Sequence, residues 1–180
     1  MERKTVVIAQ SDLERQKAVC EQIREYWLAQ GRTPLAFVDT YGPPMAVAPL
    51  PSVRRVVEFA LTEMPPEKIF LGFPNYAYDW TLPYAPGTTR AQSIGNEAAV
   101  QLAVNVGAEI RFDEQAQTPW FAYTDGESRA HEVWFEDARS SLAKYRLVTE
   151  YGLRGLGYWN FMRPFTSGFA LLNAVFRLEP

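Results

Sequence analysis

The histidine at position 131 and the two acidic residues after it are the first candidates for chemistry in this sequence. His131 is the only histidine, and Glu136 and Asp137 follow it in HEVWFEDARS. A histidine near paired carboxylates could carry acid–base catalysis, because its unperturbed pKa lies close to neutral pH. The surrounding pattern instead predicts a solvated or strand-face histidine on a hairpin strand, with no orienting partner. It predicts a helix start for both acids, whose charge favours the positive end of a helix. We therefore interpret this stretch as framework.

A second acidic candidate lies near the N-terminus. Glu14 follows Asp12 with one residue between them, shortly after the apolar run TVVIA at 5–9. Glu14 could be the remnant of a general acid at the end of a strand. Ser11 stands three residues before it, however, and this spacing predicts a capping box at the start of a helix. We favour the capping interpretation and keep Glu14 as the one catalytic candidate.

Composition limits the kinds of site that the chain can build. One cysteine, Cys20, excludes an internal disulfide, and one histidine makes a metal site improbable, so we expect neither metal nor cofactor. The net charge of −3 is spread along the chain, which argues against a nucleic-acid partner. We find no secretory signal and no membrane-spanning run, so we expect no membrane partner and, from this alone, a cytoplasmic location. Aromatic residues make up 14%, an excess that is common in sugar-binding clefts.

Short apolar runs alternate with helical patterns along the chain, which favours an α/β fold with parallel strand pairing. Four core strands are too few for a closed eight-stranded barrel, which takes about 250 residues. We therefore predict a half-barrel of the (β/α) type, or else a small open sheet. The predicted strands are 5–9, 34–39, 68–73 and 153–159, and the predicted helices run from Ser11 to Gly31 and over 53–64, about 94–106, 138–151 and 169–176.

The pattern changes before the last predicted strand. EIRFDE, PWFAYTD and RAHEVWFE are rich in strand-forming residues and surround the turn-forming DGES. This arrangement predicts a small α+β antiparallel insertion at about 108–137.

Four phrases of the chain carry a family resemblance: GPPMAVAPL, PPEKIFLGFPNYAYDWTLPY, HEVWFEDARSSLAKY and YGLRGLGYW. They resemble the C-terminal half of family 18 glycoside hydrolases, the chitinase-like barrels. The likeness is closest to the bacterial branch of spore cortex and cell-wall lysis, which often carries LysM modules. It implies one domain over 1–180, with a barrel half at 42–164 and a poorly matching βαβ segment at 1–40. It also implies a spore or cell-envelope location.

The resemblance implies a set of sugar-binding residues. Trp159, at the end of the last strand, matches a tryptophan that floors the subsite of the reacting sugar, although a core tryptophan closing the barrel is an alternative. Tyr76 matches a tyrosine that lines the cleft. Asp79 and Trp80 would lie at its lip, and Tyr41 would replace a tyrosine of the sixth strand. The implied partner is a glycan that contains N-acetylglucosamine, such as peptidoglycan or chitin.

The acid of this family is the residue that the sequence lacks. Family 18 enzymes use substrate assistance and a glutamate that ends a DxxDxDxE signature. No two aspartates here lie within three residues of each other, so the signature is absent. The chain is then a hydrolase fragment that is inactive alone or, alternatively, a non-catalytic glycan-binding or structural module. The poorly matching first forty residues could also be an unrelated βαβ segment. Two unprotected strand edges in a half-barrel further predict a homodimer.

Overall fold

A computed structural model of the protein describes residues 5–6, 40–159 and 161–178. Glu14, the helix predicted from Ser11, the strand predicted at 34–39 and most of the strand predicted at 5–9 lie outside these residues. The strands are β1 (Thr5–Val6), β2 (Phe70–Pro74), β3 (Ala77–Thr81), β4 (Gln92–Ile94), β5 (Arg111–Asp113), β6 (Thr118–Thr124), β7 (Ala130–Trp134), β8 (Gly155–Trp159) and β9 (Arg177–Leu178). The α-helices are α1 (Leu50–Glu63), α2 (Asn96–Val106), α3 (Ala138–Glu150) and α4 (Thr166–Val175), and a 3₁₀ turn spans Pro66–Lys68.

The helices begin and end close to where the sequence predicts. α1 covers the stripe predicted at 53–64 and ends before Pro65. Gly107 ends α2 in the left-handed conformation, with φ of 65°, which a residue without Cβ adopts readily. Asp137 caps α3 by accepting hydrogen bonds from the N–H groups of Arg139 and Ser140, and the capping box is complete. The helix start predicted at Asp137 is therefore confirmed.

Two strands predicted to be parallel do pair in parallel. β2 lies beside β8 with Leu71 opposite Leu156 and Pro74 opposite Trp159, and β1 pairs in parallel with β9. Because strand side chains alternate between faces, Leu71 and Leu156 share one face and pack in the main core. This core joins the parallel pair to α1, α3 and α4. Its buried members are Ala48, Val53, Val57, Ala60, Ile69, Leu71, Phe73, Tyr145, Leu147, Val148, Leu153, Leu156, Phe165, Leu172 and Phe176.

The antiparallel sheet is larger than the predicted insertion. Its strand order is β4-β3-β7-β6-β5, so two strands from before residue 108 belong to it. β3 is the stretch AYDWT, where the sequence analysis predicts no strand. It pairs with β7 through Tyr78 opposite Trp134 and Asp79 opposite Val133. The predicted antiparallel unit is confirmed, but the sheet that contains it begins at Ala77.

The two faces of this sheet pack against different parts of the chain. One face carries Phe121 and Val133, which pack on Ala99 and Ala103 of α2. The other face carries Tyr78, Trp80 and Trp134, which pack under the segment that contains Ala46 and Val47. No helix among the described residues is long and apolar enough to cross a membrane.

Candidate functional site

The candidate site lies where β2 and β8 end side by side. Pro74 and Trp159 are the last paired residues of the two strands. The backbone N–H of the next residue, Asn75, donates to the carbonyl oxygen of Trp159 at 2.7 Å, which extends the pairing by one bond. Parallel strands that end together bring the side chains after them to one edge, where α/β folds build their binding sites.

Trp159 presents its indole to solvent at this edge. Its exposed fraction is 55%, which disfavours the alternative that it is a core tryptophan. Phe161 and Met162, in the turn that follows, are also exposed. An exposed, flat indole suits the apolar face of a pyranose ring, since both surfaces then leave water.

Tyr76 stands beside this edge and keeps its proton. Its ring lies 5.3 Å from the ring of Tyr78, centroid to centroid, and its side chain is half-buried. Burial raises the pKa of Tyr76 well above the ordinary value, and the neighbouring Tyr78 adds to the shift. At neutral pH the Tyr76 hydroxyl is therefore a neutral group that can donate or accept a hydrogen bond.

Tyr41 lies on a turn that contacts the antiparallel sheet. Its exposed fraction is 44%. The guanidinium of Arg90 lies 5.8 Å from its ring centroid, and the hydroxyl of Tyr84 donates to its carbonyl oxygen at 2.7 Å. The guanidinium of Arg90 thus covers part of the Tyr41 ring.

Asp79 and Trp80 do not lie at an exposed lip, and this expectation is corrected. Trp80 is fully buried, and its indole N–H donates to the carbonyl oxygen of Gly42 at 2.9 Å. Asp79 is buried as well, on the opposite face of β3. The central position of β3 between β4 and β7 explains both, since each face of this strand is covered by its own core cluster.

His131 has the orienting partners that the sequence analysis did not find. Its Nδ1 lies 2.8 Å from Asp79 Oδ1, and its Nε2 lies 3.2 Å from Asp125 Oδ2. The hydroxyl of Tyr123 donates to the other oxygen of Asp79 at 2.8 Å, and its ring stacks on the imidazole. The strand position of His131 is confirmed, but the histidine is buried and not solvated.

Each ring nitrogen of His131 therefore faces a carboxylate oxygen. The second carboxylate, Asp125, also accepts from the backbone N–H groups of Glu127 and Arg129. The hydrogen bond from the backbone N–H of Arg129 contributes most to lowering the pKa of Asp125 well below its usual range. The cluster ties β3 to the hairpin of β6 and β7. It lies inside the sheet, away from the exposed edge at Trp159.

Glu136 is more deeply buried than a helix-start acid would be. It is 1% exposed, and its Oε2 accepts from Lys144 Nζ at 2.8 Å, with Lys144 equally buried. Burial raises the pKa of Glu136, and the nearby Lys144 ammonium opposes that shift. The other oxygen, Oε1, has no hydrogen-bond partner among the described residues. The ion pair holds the end of β7 on α3.

Two buried asparagines complete the polar interior near the strand ends. Asn96 Nδ2 donates to Asn75 Oδ1 at 3.2 Å, and Asn96 Oδ1 accepts from the backbone N–H of Glu136 at 2.9 Å. Asn75 Nδ2 donates to the carbonyl oxygen of Arg163 at 3.0 Å. Hydrogen bonds therefore run without a break from Lys144 to the turn after β8.

The sequence of this chain matches a model of a known protein family. Residues 6–163 match the sequence model described as Glycosyl hydrolases family 18. The chain belongs to glycosyl hydrolase family 18. The match begins at residue 6, so it includes most of the segment 1–40 and weighs against an unrelated N-terminal segment.

Two of the similar proteins come from Bacillus species. The chain is 49% identical over 137 residues to a cortical fragment-lytic enzyme of Bacillus subtilis (strain 168), a match that covers 76% of this chain and 32% of that protein. It is similar in structure to the spore cortex-lytic enzyme SleL of Bacillus megaterium QM B1551, with a TM-score of 0.76, 44% identity, and coverage of 79% of this chain and 33% of that one. The chain thus spans about a third of the length of these relatives.

Of the residues that the family resemblance implies, Trp159 ends β8 and Tyr76 follows β2, whereas Asp79 and Trp80 belong to the interior of the antiparallel sheet. The sequence analysis missed Lys144, Asn75 and Asn96. Lys144 offered one signal, since it lies beside Tyr145 and Val148 on the apolar stripe of α3 and so must be buried with them.

Proposed function

We propose that this protein is a glycan-directed member of family 18 that binds N-acetylglucosamine-containing glycans of the peptidoglycan type. The observation that carries the proposal is the exposed indole of Trp159 at the carboxyl end of β8. Names of relatives that refer to the spore cortex support a cortex or cell-wall glycan as the partner. They also support a spore or cell-envelope location.

In this proposal Trp159 stacks on a sugar ring and Tyr76 and Tyr41 flank it. The raised pKa of Tyr76 keeps its hydroxyl protonated, so that it can donate to a sugar or acetamide oxygen. Asp79 and Trp80 act only indirectly, since their burial holds the sheet beside the site.

The missing acid signature supports binding without efficient catalysis. The aspartates of DxxDxDxE are absent from the sequence, and Glu14 remains a weak candidate acid that is favoured as a helix cap. Loss of a general acid typically costs about 10²–10⁴-fold in rate. We therefore expect hydrolysis by this chain alone to be close to background. A purely glycan-binding or structural module is the alternative that this absence favours.

A titration of tryptophan fluorescence with chitooligosaccharides, or with glycan strands from cortex peptidoglycan, tests binding. We expect a weak, saturable change that Trp159→Ala abolishes. Trp120→Phe is the matched control, because it removes an indole from the antiparallel sheet and should leave the response in place. An identical titration in wild type and Trp159→Ala would contradict the proposed role of Trp159.

Hydrolysis of a fluorogenic chitooligosaccharide tests catalysis separately. We expect the wild-type chain and Glu14→Gln to give equal rates near background. Robust turnover that Glu14→Gln removes would make Glu14 the general acid and overturn its assignment as a cap.

The half-barrel and the homodimer are further proposals about the assembly. Parallel pairing of β2 with β8, with helices between them in the chain, supports part of a (β/α) barrel over 42–164. Open strand edges of such a unit favour a symmetric pair of chains. Light scattering at micromolar concentration tests this, and a stable monomer would contradict it.

A further inference from the structure

The turn after β8 carries exposed residues of the candidate site, and one residue, Asn75, binds it at both ends. The backbone N–H of Asn75 donates to the carbonyl oxygen of Trp159 at 2.7 Å, and its Nδ2 donates to the carbonyl oxygen of Arg163 at 3.0 Å. Trp159 opens this turn and Arg163 closes it. Asn75 therefore spans the turn from below, through one main-chain and one side-chain donor.

Asn75 is in turn held by a second buried amide. Asn96 Nδ2 donates to Asn75 Oδ1 at 3.2 Å, which fixes the orientation in which Asn75 Nδ2 faces Arg163. Asn96 itself accepts from the backbone N–H of Glu136, at the end of the antiparallel sheet. Each amide thus uses its oxygen and its nitrogen in different bonds, and exchanging the two groups of either would break the chain of bonds.

These two buried amides would destabilise the fold if their only role were to fill space. Asn75 is 0% and Asn96 1% exposed, and a buried amide that lacks its hydrogen-bond partners destabilises the fold. An apolar side chain would fill the same volume without that requirement. What the amides add is direction, since a hydrogen bond constrains the carbonyl of Arg163 in a way that apolar contact does not.

A second, independent anchor holds the same turn from β4. The guanidinium of Arg163 donates to Ser93 Oγ at 2.9 Å and also to the carbonyl oxygen of Ile94. Just beyond the turn, the backbone N–H of Thr166 donates to Glu97 Oε1 at 2.6 Å. The groups that bind Arg163 and Thr166 therefore belong to β4 and to the first residues of α2.

We propose that Asn75 and Asn96 are positioning residues that orient the Trp159 indole for glycan stacking, by fixing the turn 159–163 against the antiparallel sheet. Neither residue contacts the glycan in this proposal. It rests on the proposed glycan-binding function for its ligand, but the placement of Trp159 can be tested without any ligand.

Asn75→Asp tests the proposal most selectively. The aspartate still accepts from Asn96 Nδ2 but can no longer donate to the carbonyl of Arg163. Asn96→Ala removes the hydrogen bond that orients the Asn75 amide, and it introduces no charge. For each variant, iodide quenching of Trp159 fluorescence is measured as the difference from the same variant carrying Trp159→Phe. We expect quenching of Trp159 to change at least about twofold and glycan affinity to fall about tenfold, which corresponds to about 1.4 kcal/mol.

Thr118→Val is the matched control, because Thr118 is a fully buried polar residue of β6 outside this chain of hydrogen bonds. It should lower the melting temperature without changing Trp159 quenching or glycan affinity. If Asn75→Asp does not fold, Asn96→Ala and the milder Asn96→Ser decide. Folded variants with wild-type Trp159 quenching would overturn the positioning role. Absence of glycan binding by the wild-type chain would instead refute the proposed function, while the quenching comparison would still stand.

Discussion

Trp159 and Trp80 end up in opposite environments, although the family resemblance assigned both to a sugar-binding cleft. Trp159 is 55% exposed at the last position of β8, while Trp80 is 0% exposed within β3. β8 ends beside β2 at the edge of a parallel pair, and the chain turns away after it. β3 has a paired strand on each side and a core cluster on each face.

The difference shows that the aromatic excess of this chain has two causes. In the antiparallel sheet, aromatic rings pack on one another: Trp120 stacks on Trp134 at 5.6 Å, and Tyr78 meets Trp80 edge-on at 5.4 Å. Cross-strand aromatic pairs of this kind stabilise a sheet. At the parallel edge, the Trp159 indole is exposed to solvent instead. Composition alone therefore does not separate a sugar-binding surface from an aromatic core.

Among the variants that test the contrast between the two regions, Trp80→Ala should cause the largest loss of stability. The substitution leaves a cavity beneath Ala46 and Val47 and removes the hydrogen bond to the carbonyl of Gly42. We expect a loss of about 4–5 kcal/mol in the free energy of unfolding, measured by urea denaturation. Trp120→Ala, at a half-buried position, should cost less. A loss below about 1 kcal/mol for Trp80→Ala would contradict its place in the core.

Lys144→Met tests the buried ion pair that joins the sheet to α3. It leaves the Glu136 carboxylate buried without its cation, and we expect a loss of about 3 kcal/mol near neutral pH. Because burial already raises the pKa of Glu136 in the folded protein, the deficit should shrink as the pH is lowered and the carboxyl takes up a proton. The double variant Glu136→Leu/Lys144→Met should recover most of the loss. A deficit independent of pH would mean that the lost contacts of the lysine stem dominate.

His131→Ala tests the cluster inside the sheet. It removes one partner of Asp79 and one partner of Asp125, and we expect a loss of about 2 kcal/mol in the free energy of unfolding. Glu127→Ala, at an exposed turn position, is the control and should stay within about 0.5 kcal/mol of wild type. Equal stability of His131→Ala and wild type would show that water replaces the imidazole without cost.

Acid should weaken the same hairpin through Asp125. Its pKa is lowered in the folded protein, so its contribution is present above the ordinary value and is lost as the pH falls below about 4. Asp125→Asn keeps one acceptor oxygen but does not titrate there. The melting temperature of this variant should therefore fall less steeply between about pH 5 and about pH 3. Parallel pH profiles for the two proteins would contradict the assignment.

The smallest effect on stability is expected from Trp159→Ala. More than half of this side chain is exposed, so the free energy of unfolding should change by no more than about 0.5 kcal/mol. Urea denaturation measures it beside Trp80→Ala, with the glycan titration as the second readout. A loss comparable to that of Trp80→Ala would erase the contrast between the two regions.

The elements that sequence predicted well carry their signal locally. The apolar stripe of α1, the glycine after α2 and the cap of α3 all act within a few residues. β3 was missed because it is buried on both faces and so lacks the alternation that marks a half-buried strand. β4 and β9 are too short to show a pattern, and their pairing depends on strands far away in the chain.

The candidate site residues also differ in whether their signal is local in the sequence or depends on contacts between distant segments. Trp159, the last residue of β8, and Tyr76, two residues after β2, were proposed because each stands in a phrase that resembles the family. His131 meets Asp79 only through the register that places Thr81 opposite it. Asn75 and Asn96 likewise resemble ordinary turn and helix-start residues until the folded chain brings them into contact.

The stacked indoles of Trp120 and Trp134 give the molecule two separable optical signals. Rings 5.6 Å apart and inclined by 17° share their electronic excitation, which produces a paired band in circular dichroism. That band follows the integrity of the antiparallel sheet. Emission from Trp159, which water and iodide reach, follows the parallel edge instead. Recording both during one denaturant titration would reveal whether the two regions lose structure together or one after the other.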